Sequence, residues 1–364
     1  MKKHGKFGVN KISKKRKNFW KNKKVFITGH TGFKGSWLII FLNLLNAKIS
    51  GYSQKPKKVS LFNQAGCYNL LKNNFYSDIN KLKDLKKKLN ISKPEIVFHL
   101  AAQPLVSESY LSPLKTFKTN IIGTANLIEA SKDIKSIKVI IIITTDKVYK
   151  INKKNKAFRE TDELGGKDPY SASKACAEVV ANSYYESYFK SKSDKVRMAT
   201  ARSGNVLGGG DYSKNRIIPD ILNAINKKKE LIIRNPNQIR PWQHVIEPIY
   251  GYIILAEKLF LNQIGNTENS WNFGPKNNSF IKVYQLLDKI NKINKLKKIS
   301  LKKNNYKETE ILKLDSNKSK KYLKWTQKWD INETIKKILE WNENYINKKN
   351  ILETCEAQIK SYFK

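Results

Sequence analysis

The chain has 364 residues, 40% of them hydrophobic, with 71 basic against 30 acidic side chains and a formal net charge of +41. Apolar residues arrive in periodic blocks over a length that supports a sizeable core, which excludes a disordered chain. No uncharged apolar run reaches the roughly 18 residues that cross a bilayer, and no apolar signal region follows the basic N-terminus, so the expectation is a cytoplasmic protein without membrane insertion. Cys67, Cys176 and Cys355 lie far apart and form no CxxC pair; that spacing carries neither a disulfide framework nor a metal cluster. The positive charge comes from 64 lysines and only 7 arginines, with lysine spread through the whole chain. Such spread reads as composition drift with solvated lysines rather than a nucleic-acid face, so no nucleic-acid partner is expected. Six of the seven arginines lie between Arg159 and Arg240, which points to a need there for a planar, bidentate donor.

Residues 1–18 are lysine-rich and acid-free and read as a disordered basic tail. V-F-I-T (25–28) is a short buried strand, followed by G-H-T-G-F-K-G and an apolar helical run (36–45). Further strands are expected at 48–52, 74–78, 95–100, 138–144 and 196–202, with helices at 82–89, 116–131 and 169–189 between them. This alternation predicts a parallel sheet covered by helices on both faces. Beyond about 205 the rhythm becomes irregular, with helices near 217–227, 246–261, 281–295 and 332–346 and short strands between. The domain reading is therefore a tail (1–18), a first domain (19–204), a smaller lobe interleaved with it (205–346) and a C-terminal tail (347–364).

Gly29, Gly32 and Gly35 fall between the first strand and its helix. A tight turn, close backbone approach to a pyrophosphate and close helix–sheet packing each need a glycine there, and the helix N-terminus offers N–H groups to phosphate. The strand–turn–helix context makes this a dinucleotide loop, and the fold class an α/β doubly wound parallel Rossmann-type sheet with a smaller mixed α/β substrate-binding lobe. The second strand ends G-Y-S-Q-K (51–55), without the acid that reads an NAD ribose and without an arginine for a 2′-phosphate. The choice between NAD and NADP stays open at these residues. Asp78 either holds the adenine amine or caps the next helix.

Tyr170 and Lys174 sit at i and i+4 at the start of a long helix, hence on one face. A cation one turn away is expected to lower the phenol pKa, giving a tunable acid–base group. The isoleucine run 140–143 ends in Thr144, Thr145, Asp146 and Lys147. In an open parallel sheet, ligands bind outside the carboxyl ends of the strands, so these groups project toward cofactor and substrate.

The glycine loop, H-L-A-A-Q (99–103), T-N-I-I-G-T-A-N-L-I-E-A (119–130), T-T-D-K-V-Y and P-Y-S-A-S-K together resemble the extended short-chain dehydrogenase/reductase family. Within it, G-G-K-D-P-Y-S-A-S-K-A, R-S-G-N-V-L-G-G-G-D and R-N-P-N-Q-I-R-P-W-Q-H-V-I-E-P are similar to the nucleotide-sugar 4,6-dehydratase branch that acts on CDP-glucose. The likeness spans about residues 19 to 344. It implies an NAD-dependent lyase that turns CDP-glucose into a 4-keto-6-deoxy sugar, a homodimer built through helices like 116–131 and 169–189, and no metal. The cofactor-binding positions it implies are Gly29, Thr31, Gly32, Phe33, Lys34, Gly35, Asp78, Ile79, Leu100, Ala101, Ala102, Asn120, Tyr170 and Lys174.

By the same resemblance Thr145 binds the sugar O4, Tyr170 removes its proton, Lys147 takes the C5 proton and Asp146 protonates the departing hydroxyl, while Lys174 binds the nicotinamide ribose. Asn205, Arg216 and Arg240 match pyrophosphate-binding positions, which bidentate guanidinium–phosphate pairing favours, and Gln103 is placed to touch the sugar. Arg202 and Arg234 are either structural pairs or phosphate ligands, and His244 either packs or meets substrate. His30 and His99 orient the loop and fill the core; Trp325, Trp329 and Trp341 are core anchors. Rival readings are an epimerase or reductase of the same family, which has no need of the Asp–Lys pair, and a non-catalytic dinucleotide-sensing protein, which has no need of Tyr170 and Lys174.

Overall fold

The computed structural model describes residues 12–151, 157–190, 196–213, 215–233, 235–264, 269–276, 279–294, 296, 298–301 and 312–364. Six strands alternate with helices over the first two hundred residues. They are β1 (Lys24–Thr28), β2 (Lys48–Ser53), β3 (Asn73–Tyr76), β4 (Ile96–His99), β5 (Val139–Ile143) and β6 (Arg197–Ser203). The helices are α1 (Lys14–Trp20), α2 (Phe33–Leu44), α3 (Leu61–Gln64), α4 (Leu82–Ser92), α5 (Val106–Leu111), α6 (Pro113–Phe117), α7 (Gly123–Ser131) and α8 (Pro169–Tyr184). The helix expected over 116–131 is α6 and α7 joined through a wider turn at Lys118–Ile122.

Further on come β7 (Val206–Leu207), α9 (Ile217–Lys227), β8 (Leu231–Ile233), β9 (Ile239–Pro241), β10 (Gln243–His244), α10 (Ile246–Phe260), β11 (Ser270–Phe273), β12 (Phe280–Lys282), α11 (Val283–Ile293), β13 (Ile299–Leu301), α12 (Ile331–Ile346) and α13 (Ile351–Ser361). The central sheet is parallel, in the order β11-β6-β5-β4-β1-β2-β3. The strand order reverses between β1 and β4, which opens a crevice at their carboxyl ends.

The isoleucine run explains itself in β5. Ile141 and Ile143 point into one apolar layer and Ile140 and Ile142 into the other, because side chains alternate faces along a strand. The first layer holds α2 and α10, the second α4 and α7. A third apolar cluster, from α9, β8, α11 and α12, forms the smaller lobe.

Three boundaries differ from the sequence reading. The supposed N-terminal tail includes α1, whose buried Trp20 lies over Phe98 and whose Arg16 donates to Glu257 (2.8 Å) and to the Tyr250 phenol (2.8 Å). Residues 347–364 are not a tail, since α13 buries Ile351, Cys355 and Ile359 in the layer that holds α2. Finally, α10 and β11, read as parts of the second lobe, belong to the central layers: α10 covers the sheet and β11 extends it beside β6. Among the described residues, no helix is long and apolar enough to cross a membrane.

Candidate active site

A cavity of about 890 Å³ lies across the carboxyl ends of the strands, walled on its far side by the smaller lobe. Gly29 takes φ +72°, and a Cβ there meets the backbone of Leu100 and Ala101 at 2.6–2.8 Å, so β1 and β4 approach only through glycine. A Cβ on Gly35 meets the Gly29 carbonyl oxygen at 2.4 Å, which fixes how closely α2 seats on the turn. Gly32 precedes α2 with no side-chain cap, leaving the N–H groups of the first turn to face the cavity. This cradle fits a dinucleotide diphosphate.

Thr31 ties the loop to the end of β2 through Ser53 Oγ (2.9 Å) and the Gln54 carbonyl (3.0 Å). Phe33, Ile79, Leu100, Ala101 and Ala102 all line the cavity. Asp78 lines it too, but it is not the cap of α4, which follows Lys81. Its carboxylate accepts from the Asn80 backbone and side chain (both 2.9 Å) and from Gln54 (3.3 Å). Burial pushes that carboxyl up, yet these donors hold it below its ordinary value.

Asn120 departs from its expected role. It is buried behind the wall, donating to Ser173 Oγ (2.8 Å) and the Gln103 carbonyl (3.1 Å) and accepting from the Gln103 N–H (2.8 Å). It therefore braces α8 against the 103 loop. Gln103 lines the cavity, but its amide is held by Leu105 (3.1 and 2.6 Å) and Thr116 (2.9 Å).

The residues expected to carry acid–base chemistry lie near one another. Thr145 donates to Asp146 Oδ1 at 2.9 Å, and its Oγ also accepts the Lys147 N–H, closing a short turn over Asp146–Val148. Asp146 is buried, and its Oδ2 has no hydrogen-bond partner among the described residues. Lys147 lines the cavity. Asp168 caps α8 by accepting from the Ser171 N–H (2.9 Å), which presents Tyr170 and Lys174 to the same space. The expected lowering of Tyr170 by Lys174 is not realised. Burial pushes the phenol up to about 12; Thr145 and Arg216 pull it down, and Asp146 and Asp168 push it further up. The Lys174 ammonium instead donates to the Ile143 carbonyl at 2.8 Å, and burial lowers it to about 8 against the pull of Glu178.

The far wall brings Asn205, Arg216 and Arg240 together. Arg216 precedes α9 and donates to Asp211 (3.1 Å); Arg240 lies on β9 and donates to Gln238 (2.7 Å) and the Ile239 carbonyl (3.2 Å). Arg202 is a structural pair, buried against the Glu178 carboxylate and the Tyr149 phenol. Arg234 lies outside the described residues. His244 packs between Trp37 and Trp329, and burial lowers it to about 3. His30 and His99 are buried with hydrogen bonds to Asn74 (2.8 Å) and to Thr28 (2.7 Å) and Thr124 (3.1 Å). Trp325 and Trp341 are core residues. Sequence reading missed Ser203, which lines the cavity at the end of β6; the strand-end logic applied to Thr145 finds it equally. Among the described residues no cluster of His, Cys, Asp and Glu could hold a metal.

The family model described as GDP-mannose 4,6 dehydratase matches residues 26–338. A Salmonella typhimurium protein named CDP-glucose 4,6-dehydratase is 40% identical over 352 residues, covering 95% of this chain and 98% of its own. The human dTDP-D-glucose 4,6-dehydratase is 25% identical, covering 92% and 94%. In fold, the chain is similar to a Bacillus anthracis dTDP-glucose 4,6-dehydratase solved with NAD (TM-score 0.76, 21% identity, 91% of this chain and 99% of that one). It is equally similar to a Thermotoga maritima UDP-glucose 4-epimerase (TM-score 0.77, 22% identity, 88% and 99%). A glycine cradle, a Tyr170–Lys174 pair and a threonine–aspartate strand end thus occur in a chain matched nearly throughout by one family model, and the chain belongs to the GDP-mannose 4,6-dehydratase family of nucleotide-sugar dehydratases.

Proposed function

We propose that the chain converts CDP-glucose to CDP-4-keto-6-deoxyglucose and water, with NAD recycled in each turnover. The observation that carries this reading is the 40% identity, over nearly the whole of both chains, with the relative named for that reaction. Bound at the glycine cradle, NAD supplies a hydride acceptor at C4 and a hydride donor at C6. Tyr170 takes the O4 proton, with Thr145 hydrogen-bonding that oxygen. The resulting 4-ketone acidifies H5, which Lys147 removes, and Asp146 gives a proton to the departing O6 hydroxyl. Lys174 holds the nicotinamide ribose, and Asn205, Arg216 and Arg240 bind the sugar diphosphate.

A cytoplasmic homodimer accompanies this reading. Leu111, Leu114, Ile122 and Val179 are 50–81% exposed on α5–α8, an apolar surface suited to a second copy.

The test is a product assay with CDP-glucose beside UDP-, dTDP- and GDP-sugars, using substoichiometric NAD and no reductant. A 4-keto-6-deoxy product from CDP-glucose is expected; a requirement for stoichiometric NADH or NADPH makes the chain a reductase instead.

A further inference from the structure

Glu178 stands one turn beyond Lys174 on the same face of α8, and both side chains are buried, at 3% and 4% exposure. Its carboxylate accepts from Arg202 Nε on both oxygens (3.0 and 2.9 Å), from Arg202 Nη2, from Thr200 Oγ1 (3.1 Å) and from Thr144 Oγ1. The guanidinium in turn donates to the Tyr149 phenol (2.7 Å), the Glu160 carbonyl (3.2 Å) and Ser270 Oγ (3.1 Å). Neither Glu178 nor Arg202 lines the cavity. The pair lies beneath it and joins α8, the residues after β5, the strand that ends at Ser203 and the turn that follows Lys147. Two successive residues ahead of Thr145 are thereby pinned to α8 one turn apart: Lys174 holds the Ile143 carbonyl (2.8 Å) and Glu178 the Thr144 hydroxyl.

We propose that Glu178 is a positioning residue for the acid–base groups: through Thr144 and Arg202 it seats the strand end that bears Thr145 and Asp146 against α8, and its carboxylate is the counter-charge that the Lys174 ammonium faces from beneath the cavity. The inference rests on the reaction proposed above for the roles of Thr145, Asp146 and Lys174. Stability alone does not account for the pair, because the desolvation of two buried charges offsets their attraction. A network in which both oxygens are engaged does hold rigid the elements that it joins.

The groups facing Lys174 are Tyr170 and Glu178 of α8, His99 of β4 and Lys34 of α2. Those around Glu178 are Arg202 of β6, with the Tyr149 phenol and Glu160 behind it. Burial lowers His99 to about 3, so it is neutral, and Lys34 is a like charge. Burial also lowers the Lys174 ammonium to about 8, and Glu178 pulls it up. Without that carboxylate the ammonium falls further, and the cation is lost at a lower pH.

The test compares the full-length wild type with Glu178→Gln by two readouts. The first is acetic anhydride labelling across a pH series, read at Lys174 by peptide mass spectrometry, since Lys174 lines the cavity and a small reagent reaches it. The pH of half-labelling is expected to fall by about one unit in the variant. The second is steady-state turnover of CDP-glucose. A displaced strand end is expected to lower kcat about 10–10²-fold, with KM within about twofold because Asn205, Arg216 and Arg240 are untouched. A wild-type value in either readout, whatever the Tm, overturns the proposal and leaves the pair structural only. If Glu178→Gln does not fold, the double variant Glu178→Gln/Arg202→Met, which leaves no unpaired buried charge, is read against the same expectations. A wild type inactive on CDP-glucose refutes the proposed function, and the labelling, which needs no substrate, then decides this inference alone.

Discussion

Tyr170 and Lys147 line one cavity and Asp146 is buried at the strand end beside them, but the reaction proposed for the three divides into steps that fail separately. Tyr170→Phe removes the base for O4, so no enzyme-bound NADH is expected on mixing with CDP-glucose. Asp146→Asn and Lys147→Met are expected to keep C4 oxidation, so bound NADH accumulates while 6-deoxy product falls by about 10²–10⁴. Absorbance of the reduced ring and product analysis on the same samples check the partition; a Lys147→Met enzyme at wild-type rate makes that lysine a bystander. Gly35→Ala tests the cradle itself. Its Cβ meets the Gly29 carbonyl oxygen at 2.4 Å, so α2 must shift, at a cost of about 1–3 kcal/mol and with weakened NAD binding by calorimetry. Most of these residues were legible in the sequence because strand ends and glycine spacings mark where chain meets ligand. The hydrogen-bond partners of Asn120 and Gln103 were not legible, for a physical reason. A polar residue in a cavity-side motif is satisfied either by ligand or by a neighbouring loop, and only coordinates show the Ser173 and Thr116 hydroxyls that claim them.

Among the elements, the two chain ends were the least legible. Lysine-rich α1 carries few apolar residues and α13 a weak pattern of them, yet each places them where the sheet layers need covering: Trp20 in one, Ile351, Cys355 and Ile359 in the other. Deleting residues 1–17 takes Ile12 from the core and Arg16 from Glu257 and Tyr250, so a Tm lowered by a few degrees is expected with kcat unchanged. Glu247 of α10 clamps the C-terminal end. It accepts from the Trp329 N–H (2.7 Å), the Lys328 N–H (3.0 Å) and the Tyr362 phenol (2.6 Å). Burial raises this carboxyl to about 7 although those donors pull it down. A carboxyl raised on folding binds more protons in the folded state between its two pKa values, so its share of stability falls as pH climbs from the ordinary value toward 7. In Glu247→Gln that fall is absent, and Tm measured across this range is expected to decline less steeply than in the wild type; parallel declines exclude the clamp as a titrating group.

For the whole molecule, the interleaving of the lobes governs what folds alone. The strand–helix rhythm was readable to about residue 205 because each unit carries its own periodicity. The return of α10 and β11 to the central layers was not, since no local pattern tells a strand which sheet it will join. A chain cut after residue 204 keeps six strands but loses the helix over one face and the neighbour of β6, so no cooperative thermal transition is expected by calorimetry or circular dichroism. The same β6–β11 pairing has a consequence during synthesis. About seventy residues separate the end of β6 from the end of β11, and at about 5–20 residues per second the ribosome needs about 4–14 s to make them. Throughout that interval the nascent sheet shows an open edge at Thr200, Ala201, Arg202 and Ser203 with nothing yet made to pair with it. Slow or stalled translation of residues 204–273 is thus the moment at which this enzyme is most exposed to aggregation, and the moment at which a chaperone has most to protect.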